Sequence, residues 1–376
     1  MTETRAIVER YRQLVAGGVD AALATVVRVE GSSYRRPGAR MLIPESGPAT
    51  GSLSAGCLER DVGERAAAVI RTGRPTVVTY DTTTDDDIVW GLGLGCNGVV
   101  RVLIEPAAGE RTADLVRFLA ACSGGPRRGA AATVYDREGG MEMPNAGVGA
   151  RALLFPDGTI SGDLDHPDVA GNLREAVATG ASVDRRYRAR DGHLDVFVEV
   201  VEPRVPLVVF GAGHDALPVV ALARMLGWHT TVVDTRARAA SRERFAEADA
   251  VVLCRPDEVG EHVALTESTA AVLMTHNYLE DLEVLRTLVT SPARYIGCLG
   301  PRRRTERLLG ELGAGVGGRL YGPVGLDIGA ETPEEIALSV VAEIRAVLAG
   351  RDGSPLRNRE EAIHAVARAR HQCRSR

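Results

Sequence analysis

Apolar residues recur at helical spacing across residues 3–16, with Ile7, Tyr11, Leu14 and Val15 on one face, which predicts an amphipathic first helix. Leu23–Val29 then reads as a strand. In GSSYRRPGARMLI, Gly31, Pro37 and Gly38 mark a turn before a second strand. The segment PATGSLSAGCLERDVGERAAAVIRTG opens as a glycine-rich turn and continues with Leu58, Val62, Ala66, Val69 and Ile70 at helical period, placing Cys57 at a helix N-terminus. Strand-like residues 77–80 lead through an acidic run, Asp85–Asp87, into WGLGLGCNG and the strand VVRVLIE, so that Cys96 also lies in a glycine loop. Further on, helices are expected near 113–121 and 169–178 and strands near 131–135, 152–155 and 196–200, with no internal repeat apparent.

The prolines of EPRVP, residues 202–206, mark a linker, after which the pattern changes. Fully apolar strands LVVF, TTVVD, AVVLC, AAVLM and RYIGCLG alternate with helical segments, as in a parallel sheet covered on both faces. The predicted fold class is α/β: a C-terminal Rossmann-like doubly wound parallel sheet with an N-terminal α+β domain. The expected domains are residues 1–202, a Rossmann-like 203–350, and an Arg-rich tail, 351–376, read as a frayed helix. Thr332 and Pro333 read as the cap and first turn of a long helix to about Leu348.

Composition narrows the chemistry. Acidic residues number 50 against 45 basic ones, for a formal charge of −5, so nothing in the balance attracts nucleic acid or an anionic membrane. Every cationic side chain is arginine, which excludes a Schiff-base lysine and the usual P-loop lysine. No run is long and apolar enough for a membrane span, and a charged start argues against a signal peptide, so the expected location is cytoplasmic. The six cysteines, Cys57, Cys96, Cys122, Cys254, Cys298 and Cys373, are scattered, without a C-x-x-C pair, which argues against zinc ribbons and local iron–sulfur motifs.

Two constellations remain. In FGAGHDA, Gly211, Gly213 and Ala216 follow an apolar strand and open a helix, and Asp234 ends the next strand, which fits the dinucleotide fingerprint. His214 lies in the turn. Asp234 would accept from a ribose, whereas Arg236 and Arg238 would hold a 2′-phosphate, leaving NAD and NADP both open; Asp215, an acid in the first turn, opposes bound phosphate. His276, Arg302 and Asp327 follow later strands, near the sheet's ligand-binding crevice, although the arginine fits a solvated turn equally. The other constellation is Gly51, Ser52, Ser54, Gly56 and Cys57, in which glycine N–H and serine hydroxyl groups face an anion beside a thiol poised for soft-metal or electrophile chemistry; Gly95 and Cys96 form a comparable loop. The bland alternative for Cys57 is a small apolar residue in a turn.

Taken together, GSSYRRPGARMLI, GSLSAGCLERDV, GLGLGCNG, VVFGAGHDA, THNYLEDLEVLR, ARYIGCLGPRRR and GPVGLDIGAETPEEIA resemble the XdhC/CoxI family of accessory factors for molybdenum hydroxylases such as xanthine dehydrogenase. The resemblance spans roughly residues 5–348; Ala55 and Asn97 stand where the family pattern has glycine. It implies a homodimeric chaperone that binds molybdenum cofactor (molybdopterin), supports its sulfuration with a cysteine desulfurase, and delivers it to the apo-enzyme. By analogy Cys57 would face the cofactor or its metal. The alternative is an NAD(P)-dependent oxidoreductase with His276 as acid or base, and a third possibility is a silent docking subunit. Scattered cysteines argue against the chain being the iron–sulfur hydroxylase itself.

Overall fold

In the computed structural model, which describes residues 2–54, 56–81, 98–139, 147–189, 192–236, 240–313 and 317–359, the chain ahead of the proline-bracketed linker folds twice in the same order. The first series is α1 (Thr2–Ala16), β1 (Ala21–Gly31), β2 (Arg40–Pro44), β3 (Thr50–Gly51), α2 (Glu59–Thr72), β4 (Thr76–Asp81) and β5 (Gly98–Pro106). The second is α3 (Glu110–Gly124), β6 (Gly129–Gly139), β7 (Arg151–Leu154), β8 (Ile160–Gly162), α4 (Val169–Thr179), β9 (Val183–Ala189) and β10 (Gly192–Val201). Each makes a five-stranded antiparallel sheet, ordered β3-β2-β1-β5-β4 and β8-β7-β6-β10-β9.

The expectation of no internal repeat is thereby corrected. Gly38-Ala39-Arg40 recurs as Gly149-Ala150-Arg151, and at the same spacing Leu42, Gly47, Gly51 and Leu53 recur as Leu153, Gly158, Gly162 and Leu164. The repeat escapes a reading by motif because few identities survive: what persists is backbone architecture, including a left-handed glycine, Gly73 or Gly180, closing α2 and α4.

The two sheets share a core. Ile7, Tyr11 and Leu14 of α1 and Leu115, Phe118 and Leu119 of α3 cluster with Leu23, Leu42, Ala131 and Leu153. Val15, assigned to that apolar face, is instead 57% exposed. The opposite face of each sheet packs on its own crossover helix, through Val62, Ala66 and Val69 of α2 and through Leu173 and Ala176 of α4. Two buried ion pairs cross between the series: Arg40 Nη1 donates to Glu199 Oε1 at 2.9 Å, and Arg151 Nη2 to Glu105 Oε2 at 2.7 Å. Arginine of each β2-type strand thus meets glutamate of the other series' last strand.

The chain divides at Arg204 and Val205 into two compact units. The second contains β11 (Pro206–Phe210), α5 (Ala216–Met225), β12 (His229–Asp234), α6 (Ala240–Arg244), β13 (Ala250–Leu253), α7 (Val259–His262), β14 (Ala270–Leu273), α8 (Tyr278–Thr290), β15 (Tyr295–Cys298), α9 (Arg302–Leu312), β16 (Leu320–Tyr321) and α10 (Pro333–Leu348). Its six strands are parallel in the order β13-β12-β11-β14-β15-β16, the Rossmann arrangement, with the order reversing between β11 and β14. Buried clusters lie on both faces, one including α5 and α10 and the other α8, which is why the central strands β11 and β14 are apolar throughout. Thr332 and Glu335 form the reciprocal cap of α10. Of the tail read as a frayed helix, residues 351–359 hold a short 3-10 turn, Leu356–Asn358, and 360–376 lie outside the described residues. Among the described residues no helix is long and apolar enough to cross a membrane.

Candidate functional site

The Cys57 loop begins where β3 ends against β2, with Gly51 opposite Met41. Gly51 has φ +92°, and a Cβ there would lie 2.3 Å from the carbonyl oxygen of Arg40, so the strand can turn away only at glycine. The loop's shape is set by Glu59, the first residue of α2. Its carboxylate accepts from the N–H groups of Leu53 and Ser54 at 3.1 and 2.8 Å, from Ser52 Oγ at 3.0 Å, and from the Ser54 hydroxyl. Ser54 Oγ in turn accepts from the N–H groups of Gly56 and Leu58 at 3.2 and 3.1 Å. Burial opposes ionisation of Glu59, but the hydrogen bonds from Ser54 and Ser52 outweigh it and hold the carboxyl at about 2. Ser52 N–H donates to Glu3 Oε1 at 2.6 Å, and the other oxygen of Glu3 pairs with Arg35, which ties the segment after β1 to this loop.

Of the donors expected to face an external anion, the N–H and hydroxyl groups of Ser52 and Ser54 are therefore engaged by the chain's own Glu59 and Glu3, and the Gly56 N–H by Ser54 Oγ. Neither carboxylate is singled out by motif; Glu59 stands five residues beyond Ser54, where its position at the head of α2 is the usable signal. Cys57 lies two residues before α2, partly exposed, with its side chain against the cluster of Val62, Ala66 and Leu58. Beside it, a Cβ placed on Gly56 would meet nothing within 4 Å among the described residues. The other described cysteines, Cys122, Cys254 and Cys298, are buried, and burial pushes the Cys122 and Cys298 thiols up to about 12, away from thiolate chemistry. Gly95 and Cys96 fall outside the described residues.

In the second unit, Gly211, Gly213 and exposed His214 form the turn between β11 and α5. At Gly211, with φ +117°, a Cβ would lie 2.3 Å from the Met274 carbonyl oxygen. His276 follows β14, so the crevice at the strand-order reversal brings it to the glycine turn. Its Nε2 is 2.7 Å from Asp215 Oδ2, and its φ of +57° is the one left-handed value at a non-glycine position among the described residues. Asp234 ends β12 nearly buried. It accepts from the Arg236 N–H at 3.0 Å and from the Ser241 hydroxyl.

Of the remaining sequence candidates, Arg238 lies outside the described residues and the others do not converge there. The Arg236 side chain turns to Glu280 at 3.2 Å, Arg302 makes an exposed pair with Glu306 at 2.9 Å, and Asp327 is exposed in the segment after β16. Two residues that the sequence reading passed over are placed at the crevice mouth. Asp281 is buried between Thr275 Oγ1, at 2.5 Å, and Arg304, at 2.7 Å, and Arg244 donates to the Ala212 carbonyl at 2.8 Å.

Comparison with known proteins adds to this geometry. Residues 14–81 match the XdhC and CoxI family, and residues 207–344 match the XdhC Rossmann domain. A probable xanthine dehydrogenase subunit from Bacillus subtilis is 34% identical over 86% of this chain and 92% of its own length. The molybdenum cofactor insertion chaperone PaoD of Escherichia coli is 24% identical over 91% of this chain and 88% of its own. A crystal structure of a xanthine dehydrogenase from Bacillus halodurans superimposes with a TM-score of 0.75 at 30% identity, covering 93% of this chain and 98% of that one.

Proposed function

This chain belongs to the XdhC and CoxI family, and from that premise we propose that it is an accessory factor that carries molybdenum cofactor as cargo and delivers it to a xanthine dehydrogenase-type molybdenum hydroxylase. The observation that carries the reading is Cys57: a free, partly exposed sulfur in a glycine loop, where the other described cysteines are buried. A soft sulfur ligand suits molybdenum, and among the described residues none crowds Gly56 beside it. Ser52 and Ser54 serve in this reading by shaping the loop through Glu59, since their hydroxyls are already directed inward. The name of the Escherichia coli relative supports cofactor insertion as the task. Sulfuration in concert with a cysteine desulfurase, a homodimeric state and a cytoplasmic location complete the proposal.

The test is retention. The full chain and Cys57→Ser are mixed with molybdenum cofactor released from a donor enzyme, desalted, and assayed for bound molybdenum and for activation of an apo-hydroxylase. Cys57→Ser should lose about tenfold or more in retention with an unchanged circular dichroism spectrum. Equal retention would overturn the assignment of Cys57.

A further inference from the structure

A Rossmann sheet with a G-x-G-x-x-A turn is the usual seat of a dinucleotide, whose pyrophosphate lies over the second glycine and whose ribose is held by the acid after the second strand. In this chain both positions are taken by the chain itself. We propose that the crevice is closed to NAD(P)(H), and that Asp215 is the residue that closes it.

Asp215 folds back over the turn: a Cβ on Gly213 would lie 2.4 Å from its Oδ1. The second glycine of the fingerprint thus makes room for a carboxylate of the protein where it would otherwise admit a pyrophosphate. The carboxylate is held there by His276, across the reversal point of the sheet, at 2.7 Å. It lies at the N-terminus of α5, where the helix dipole favours one negative charge and where a second, on a ligand, meets repulsion. Asp234 is 2% exposed, and its two oxygens accept from Arg236 N–H and Ser241 Oγ, so neither is turned toward a ribose.

Calorimetric titration of the full chain with NAD+, NADH, NADP+ and NADPH tests the proposal, using the parent protein, Asp215→Ser and Asp215→Asn. Asp215 makes no side-chain cap bond to α5, so serine removes the carboxylate without removing a cap, and asparagine keeps the shape while removing the charge. The parent should show no saturation up to about 1 mM, and the variants should bind at least about tenfold more tightly. Saturation of the parent in the micromolar range overturns the proposal, as does a variant that melts like the parent yet binds no better. If Asp215→Ser melts early, Asp215→Asn decides.

Discussion

Glu59 connects the backbone of the Cys57 loop to the head of α2. Because its folded pKa is lowered to about 2 from 4.5, its ionised form is favoured in the folded state. The resulting stability is complete above pH 4.5 and is lost as pH falls toward about 2. Acid melts of the parent and Glu59→Gln should therefore diverge above that window and converge below it. Glu59→Ala leaves the Leu53 and Ser54 N–H groups without their acceptor and should cost about 1–3 kcal/mol, measured by urea denaturation, with cofactor retention falling alongside. The sequence made Ser52, Ser54 and Cys57 legible as a cluster but left the partner of the hydroxyls hidden, because an internal carboxylate and an external anion satisfy the same donors. His276 was legible only as a strand-end residue; its bond to Asp215 joins positions far apart in the chain, which local pattern does not reveal.

Among elements, the long helices and apolar strands were readable from periodicity, and α10 was located to the residue by its cap. The strands missed were β3, β8 and β16, too short to establish alternation, and β9, rich in arginine. The tandem series makes paired predictions. Gly51 and Gly162 both have φ in the left-handed range, with a Cβ 2.3 Å from the Arg40 carbonyl oxygen and 2.1 Å from that of Arg151. Gly51→Ala and Gly162→Ala should each lose about 1–3 kcal/mol by thermal melting, but only Gly51→Ala should impair cofactor retention. Removing one member of a buried pair, as in Arg151→Ala, strands Glu105 and should cost about 3–5 kcal/mol, whereas Arg151→Met with Glu105→Leu should recover most of that loss.

At the scale of the whole molecule, the two units have separate hydrophobic clusters and separate sheets. A fragment beginning at Val205 should therefore express and melt in a single cooperative transition, by circular dichroism, without residues 1–204. That division was readable in composition, since Pro203 and Pro206 bracket it. The doubling inside the first unit was not, since most side chains have diverged while the chain path has not.

That doubling has a chemical consequence. At the position matching Cys57 the later copy carries Asp168, and Ser52 and Ser54 are answered by Asp163 and Asp165. The unit is thus a pair of look-alikes of which one bears a thiol and its counterpart carboxylates with the His166 imidazole, so a soft metal meeting both would find sulfur on one arm alone. Reactivity can be revised on one arm while its twin conserves the inherited architecture.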